Sequence, residues 1–284
     1  MNQRRNPWIA GISNFFILGL GQLYNGELKK GILFLLGFTF LPFIFRLTHL
    51  PYSFFGFWVT IFIIFTLRLY VIIDAVKSAK RLQDYTLKAV NKWYFYFLFI
   101  VGSIIISLIF DNNSLLGIGT FSVASESMEP TITQDDYVAV KTSVDVNKLE
   151  YGDIVVFSDE EDEESFYICR VVAQPGDKVM LKDNFLVING LPLAHQKNDN
   201  DIYTETLPNF KNIDIRVNQE VPKGHESANT YEFEIASDAY FLIGDNRDSA
   251  LDSRYLGEIK KDRIKGKLLF IPYGFDVYRI GTKF

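Results

Sequence analysis

The chain has 284 residues, 48% of them hydrophobic, with 26 Phe and 15 Tyr, and a formal net charge of −5. That length suits one or two domains, and the negative balance excludes a nucleic-acid partner, which needs a basic face against phosphates. A single cysteine excludes an internal disulfide and any multi-cysteine zinc or iron–sulfur site.

The apolar residues concentrate before residue 111. Residues 8–20 form a short apolar stretch interrupted by Asn14, with Arg4 and Arg5 ahead of it. It has the outline of a signal peptide, but no small-residue cleavage site follows and further apolar runs do, so an interfacial or re-entrant segment is expected. Residues 31–45, 51–67 and 93–110 are uncharged runs, the second continuing in apolar character past Arg68 to Ile73. Crossing the hydrocarbon core takes about 20 apolar residues, so each run is expected to span a bilayer. Lys29 and Lys30 precede the first run, and Lys77, Lys80, Arg81, Lys88 and Lys92 crowd the loop before the third. The positive-inside rule assigns both clusters to the cytoplasm, and three spans carry everything after Phe110 to the outer side.

From Asp111 onward the chain reads as β. Residues 137–140, 154–157, 166–173, 179–181 and 185–188 are short strand-like runs. Turn signals at 151–153, 175–177, 182–184 and 189–190 punctuate them. Six consecutive acids, residues 159–164, are expected as a solvated hairpin loop, since they lack the alternating spacing and glycine of a calcium loop. Residues 195–232 read as a polar, irregular insertion. The expected organisation is therefore a membrane module over 1–76 (the interfacial segment and two spans), a basic cytoplasmic loop over 77–92, and a transmembrane anchor over 93–110. An extracytoplasmic β domain over 111–284 carries the insertion.

Chemistry enters with SVASESMEPTI, residues 122–132, just beyond the last span. Serines beside a proline alone would mean a turn. Downstream, in order, come GDIVVF (152–157), RVVAQPGDKV (170–179), GDNRDSALDSRYLG (244–257) and RIKGKLLFI (263–271). Together these blocks resemble the signal peptidase I (leader peptidase) family, membrane-anchored serine proteases that remove signal peptides from exported proteins with a Ser–Lys dyad. The resemblance covers residues 120–190 and 240–271. It implies transmembrane helices followed by an all-β domain of antiparallel sheets, a bacterial cytoplasmic-membrane location, and signal peptides and the lipid bilayer as partners. An extended substrate would add to a strand edge. No metal or organic cofactor is implied. GLGQLYNGELKKG (19–31) looks like small multi-span modules fused to various domains.

Carried over residue by residue, Ser127 matches the family's nucleophile and Ser125 the serine whose hydroxyl joins the Ser127 N–H in the oxyanion hole. Arg170, Asp245, Asp252 and Arg254 match its framework residues, with Arg170 expected to pair with one of those acids. The family's general base is a lysine immediately before this arginine, made neutral by burial. Here that position is Cys169, and the serine that orients the lysine is replaced by Ala250. Ser249 stands one residue off, which in an extended segment points it to the other side. Ala124 stands where a proline commonly precedes the first serine.

Cysteine is several bonds shorter than lysine, and a buried thiol stays protonated. Cys169 is therefore expected as core filler, sharing a strand face with Tyr167, Val171 and Ala173. The three histidines, His49, His195 and His225, match no catalytic position. A substituting lysine such as Lys141 or Lys178 is left open. Two functions follow: a signal peptidase with an unconventional base, or a pseudoprotease that binds signal peptides or regulates an active paralogue.

Overall fold

The computed structural model describes residues 4–110, 115–159, 165–182, 184–199, 201–217 and 233–284. It divides into two compact units, Met1–Ile118 and Gly119–Phe284.

The first unit is helical. In α1 (Pro7–Phe16) the proline sits in the first turn, where its missing N–H costs nothing, and Asn6 caps the Trp8 N–H at 2.9 Å. The chain then breaks at Gly19, whose φ of +90° suits glycine, before α2 (Leu20–Tyr24). A Cβ there would lie 2.1 Å from the Gly31 carbonyl oxygen. The segment expected as one interfacial or re-entrant piece is thus a pair of short helices. Two helices, α3 (Leu28–Thr48) and α4 (Phe54–Arg81), are long and apolar enough to cross a membrane. The third apolar run forms α5 (Trp93–Ile109), whose 17 residues span about 25 Å, at the short end for a bilayer.

Polar side chains join the short helices to α4. Asn14 Oδ1 accepts the Gly19 and Gly21 N–H groups at 2.9 and 3.0 Å, and Asn14 Nδ2 donates to Gln22 Oε1 at 2.9 Å. Gln22 Nε2 donates to the Val71 carbonyl at 3.0 Å and Asn25 Nδ2 to that of Ala75 at 2.8 Å. Arg5 is buried between the rings of Tyr24 and Tyr85, each centroid 4.4 Å from its guanidinium carbon. Lys30 Nζ meets Asp74 Oδ1 at 2.6 Å, which sets the start of α3 beside the final turns of α4. Both basic clusters on these helices therefore share one end of the unit.

The second unit is β. Its first strands are β1 (Ile118–Ser122), β2 (Tyr137–Lys141), β3 (Ile154–Ser158) and β4 (Phe166–Ala173). Next come β5 (Lys178–Lys182), β6 (Phe185–Ile188), β7 (Leu191–Pro192), β8 (His195–Asp199), β9 (Ile202–Thr206) and β10 (Asn212–Arg216). The last are β11 (Phe233–Glu234), β12 (Ala239–Ile243), β13 (Ile259–Lys260) and β14 (Ile264–Tyr273), with a short helix α6 (Ser253–Leu256) after β12. A seven-stranded sheet runs β1-β2-β14-β3-β4-β12-β13, a four-stranded sheet β11-β5-β6-β7, and a three-stranded sheet β10-β9-β8. Gly152, Gly176, Asn184, Asn189 and Gly190 all take positive φ at the turns their residue types announce.

The central strands β3 and β4 are covered on both faces. Ile154 and Val156 face a core with Met128, Ile132 and Leu268, whereas Val155 and Phe157 face one with Cys169, Val171, Tyr240 and Leu242. Ala173 departs from its expected place beside Cys169. A register shift opposite Phe241 and Leu242 inserts Val172 into the ladder, and both Val172 and Ala173 turn into the third core, with Val179, Leu186 and Ile215. Residues 195–216, expected as irregular, form the β8–β10 meander. Tyr203, Glu205, Ile213 and Ile215 point inward, while every residue of β8 is exposed. Residues 160–164 of the acidic run and 218–232 of the insertion lie outside the described residues.

Candidate active site

Ser125 and Ser127 follow β1 on a loop pinned by Met128, whose side chain is fully buried beside Ile132. Their hydroxyl oxygens stand 3.0 Å apart, Ser125 exposed and Ser127 half-buried. The segment 244–250 passes directly beneath. A Cβ on Gly244 would lie 2.6 Å from the Ser127 carbonyl oxygen and 2.2 Å from the Ala250 Cβ, so only glycine permits this approach. Asn246 donates from its backbone N–H to the Ser127 carbonyl at 3.0 Å and from Nδ2 to the Glu126 carbonyl at 3.1 Å. Residues 246–250 form a turn, with the Ala250 N–H on the Asn246 carbonyl at 3.1 Å. Ser249 therefore sits in a turn and not in the extended segment expected for it.

The four framework residues make two separate ion pairs. Arg170 donates from Nε to Asp245 Oδ1 at 2.7 Å and from Nη2 to Asp245 Oδ2. It also reaches the Gly152 carbonyl at 2.8 Å and Thr131 Oγ1 at 3.3 Å, and both partners of the pair are buried. Asp252 caps α6 and takes Arg254 Nε at 2.8 Å and Nη2 at 2.9 Å, while its Oδ2 also accepts the Gly244 N–H at 2.9 Å. Burial works against the Arg254 charge, but the Asp252 carboxylate more than offsets it and holds the guanidinium pKa up.

Cys169 lies opposite Val155 across β3–β4, 1% exposed. Burial, reinforced by the Asp252 charge, pushes its thiol pKa well above the ordinary value, so the sulfur is a protonated core atom. It makes no hydrogen bond to either serine among the described residues. Ala250 is buried as well. Lys141 sits on β2 opposite Lys267, and Lys178 opens β5 in the four-stranded sheet. His195 is exposed and stacked on Phe185 at 3.8 Å, His49 ends α3, and His225 lies outside the described residues. No cluster of three or more His, Cys, Asp or Glu side chains suited to a metal occurs among the described residues.

Several residues at the site escape a reading of motifs. Arg216 on β10 pairs its side chain with Glu129, two residues beyond Ser127. Its backbone also brackets the loop beneath, the N–H on the Asp245 carbonyl at 2.8 Å and the carbonyl taking the Arg247 N–H at 2.9 Å. Arg247 Nη2 meets Glu205 Oε2 of β9 at 2.7 Å in a fully buried pair, and Glu205 Oε1 accepts the Leu186 N–H at 3.0 Å. Lys211 Nζ shares the Gly152 carbonyl with Arg170, and burial, then the neighbouring Arg170 charge, lowers its pKa. Glu129, Asn246 and Arg247 stand inside the serine and GDNRD blocks, but Glu205, Lys211 and Arg216 fall in the polar insertion, which carries no local signal.

Comparison with known proteins places the sequence in a family. A sequence model of the family described as "Signal peptidase, peptidase S26" matches residues 90–273. Signal peptidase IB of Staphylococcus aureus (strain COL) is 31% identical over 186 residues, covering 65% of this chain and 87% of that protein. Signal peptidase I T of Bacillus subtilis (strain 168) is 30% identical over 167 residues, covering 56% of this chain and 76% of that protein. A crystal structure of a signal peptidase I from Enterococcus faecalis V583 aligns with 43% of this chain and 97% of its own at 24% identity and a TM-score of 0.28. The family match spans well over half of the sequence and the staphylococcal relative is covered almost throughout: the chain belongs to the signal peptidase, peptidase S26, family.

Proposed function

We propose that this chain is a signal peptidase I-type membrane serine endopeptidase that removes signal peptides from exported preproteins. Ser127 is the nucleophile, and the Ser125 hydroxyl and the Ser127 N–H are the oxyanion donors. The observation that carries this reading is the Ser125–Ser127 pair, with hydroxyl oxygens 3.0 Å apart. It offers two donors beside one nucleophile, the arrangement that stabilises the anionic tetrahedral intermediate of acyl transfer. Ser127 Oγ attacks the scissile carbonyl, the leaving amine takes up a proton, and water releases the acyl group. Arg170, Asp245, Asp252 and Arg254 hold the loops that present these groups. The helices anchor the chain in the bacterial cytoplasmic membrane as three spans, with Lys29, Lys30, Lys77, Lys80 and Arg81 on the cytoplasmic side and the β unit outside. The Lys30–Asp74 contact supports this orientation, because it gathers those charges at one end of the helices.

Cys169 stands at the family's lysine position on this reading, and it cannot act as that base. A positioned general base contributes about 10²–10⁴-fold, so turnover that sends the Ser127 proton to solvent is slower by a comparable factor, a loss that a lysine on another strand, Lys141 or Lys178, would have to restore. The buried, protonated thiol favours a second reading, a catalytically impaired pseudoprotease that binds signal peptides or regulates an active paralogue. The deciding experiment is cleavage of a preprotein by the purified full chain, compared with Ser127→Ala and with Cys169→Lys/Ala250→Ser. Ser127-dependent turnover by the unmodified chain removes the second reading. Turnover confined to the double substitution supports it, and absence of both turnover and signal-peptide binding in every variant overturns both.

A further inference from the structure

For the Ser127 N–H to act as an oxyanion donor it must face the reacting carbonyl, and the loop beneath the serine supplies the means to aim it. We infer that Asn246 is a positioning residue that orients this donor; the inference rests on the serine-endopeptidase reading. The only cis peptide among the described residues is Glu129–Pro130, so the Glu126–Ser127 peptide is trans. In a trans peptide the C=O and N–H point in opposite directions within one plane. Asn246 Nδ2 holds the Glu126 carbonyl from below at 3.1 Å. The N–H of that same plane therefore points the opposite way, away from Asn246. The Asn246 backbone N–H holds the next carbonyl, that of Ser127, at 3.0 Å. Asn246 thus holds two successive peptide planes across the nucleophile, sharing the Glu126 carbonyl with the Glu129 N–H, also at 3.1 Å.

Three features make this more than ordinary loop packing. The Ser127 N–H has no acceptor among the described residues, leaving it free for a developing anion. Asn246 is 3% exposed, so its hydrogen bonds do not compete with water. Its own place is fixed from two sides, by the Ala250 N–H on its carbonyl and by Arg216, which bridges residues 245 and 247. The amide orientation follows from the contact: Nδ2 is the donor, and the reverse orientation would set two oxygens against each other. Asn246 Oδ1 is left without a partner, so the side chain is kept for its donor and not for a saturated network.

The test uses the full chain in detergent, in the Cys169→Lys/Ala250→Ser background. Deleting an oxyanion donor costs about 10²–10³-fold in kcat, so misaiming one is expected to cost about 10–100-fold. Asn246→Asp, which sets an oxygen against the Glu126 carbonyl, and Asn246→Leu, which keeps the volume without the donor, should both lower kcat in that range. KM should stay within about threefold. Unchanged kcat, or kcat, KM and melting temperature falling together, overturns the inference. If that background shows no Ser127-dependent turnover, the function fails first, and crystal structures of the chain and its Asn246→Leu variant decide the positioning role. A Glu126–Ser127 peptide that rotates on losing the donor supports it, and one that keeps its plane overturns it.

Discussion

The Arg170–Asp245 pair offers a direct test of what holds the β unit together. Replacing Asp245 with Ala leaves a guanidinium 5% exposed with no countercharge, still donating to the Gly152 carbonyl and Thr131 but stripped of its bidentate partner. Breaking a buried pair by removing one partner costs about 3–5 kcal/mol, because the survivor stays desolvated. The chain carries its own reporter, since Cys169 is its only cysteine and lies in the core beside Val155, Val171 and Leu242. With a thiol reagent in the regime where closing outruns labelling, modification of Cys169 follows the population of the opened state. Each 1.4 kcal/mol is tenfold in that population, so Asp245→Ala should speed labelling about 150- to 5,000-fold over the unmodified chain. The paired substitution Arg170→Met/Asp245→Leu, which removes both charges, should recover most of the protection. An acceleration below tenfold for Asp245→Ala would refute the account of this pair as a buried, mutually dependent unit.

Two further expectations follow from the same structure. The Cys169 pKa is raised in the folded chain, so the folded state binds its proton more tightly than the unfolded one. Stability is then at full value below the free-thiol pKa and falls by about 1.4 kcal/mol per pH unit above it, a slope that Cys169→Ala should abolish in denaturant titrations from pH 7 to 10. Gly19→Ala puts a methyl group 2.1 Å from the Gly31 carbonyl at a φ of +90°. Backbone strain alone is about 1–3 kcal/mol, so the melting temperature of the helical unit should fall, read by fluorescence of Trp8, Trp58 and Trp93; an unchanged midpoint would show that this glycine packs loosely.

The parts of the fold that were legible in sequence are those whose signal is local. Strand β4 matched the run read from 166–173, and its neighbours did so to within a residue, because each is an apolar stretch with a positive-φ turn residue close to at least one end. The β8–β10 meander was not, for a physical reason. His195–Asp199 is exposed throughout, and one of the inward positions of β9 is an acid, Glu205, whose burial makes sense only beside Arg247, 42 residues away. The bulge that turns Ala173 out of the Cys169 face depends on the partner strand β12, which no window around residue 173 contains. At the site, the serines were visible as a motif. The support beneath them was not, since Asn246 reaches Glu126 across 120 residues of chain and Arg216 reaches Glu129 across 87.

If Cys169 stands at the position of the family's base, as proposed, alternation along β4 separates that position from the frame beside it. Cys169 and Arg170 are adjacent, so their side chains leave the strand on opposite faces. Arg170 turns to Asp245, Gly152 and Thr131, contacts that fasten the loop under Ser127. Cys169 turns to an apolar core of Val155, Phe157, Val171 and Leu242, where a small side chain packs without a polar partner. On the proposed reading a lysine at residue 169 would put an amine into that core, justified only by the reaction it serves. On that reading a cysteine there removes a desolvated amine and adds apolar packing, so stability imposes no cost on the exchange. Replacing Arg170 one residue on would strand the Asp245 carboxylate and the Gly152 carbonyl. On the proposed reading the two positions answer to different demands, residue 169 to the reaction and residue 170 to folding. A chain released from the first demand would change residue 169 and keep residue 170, the combination present in FYICRVVA.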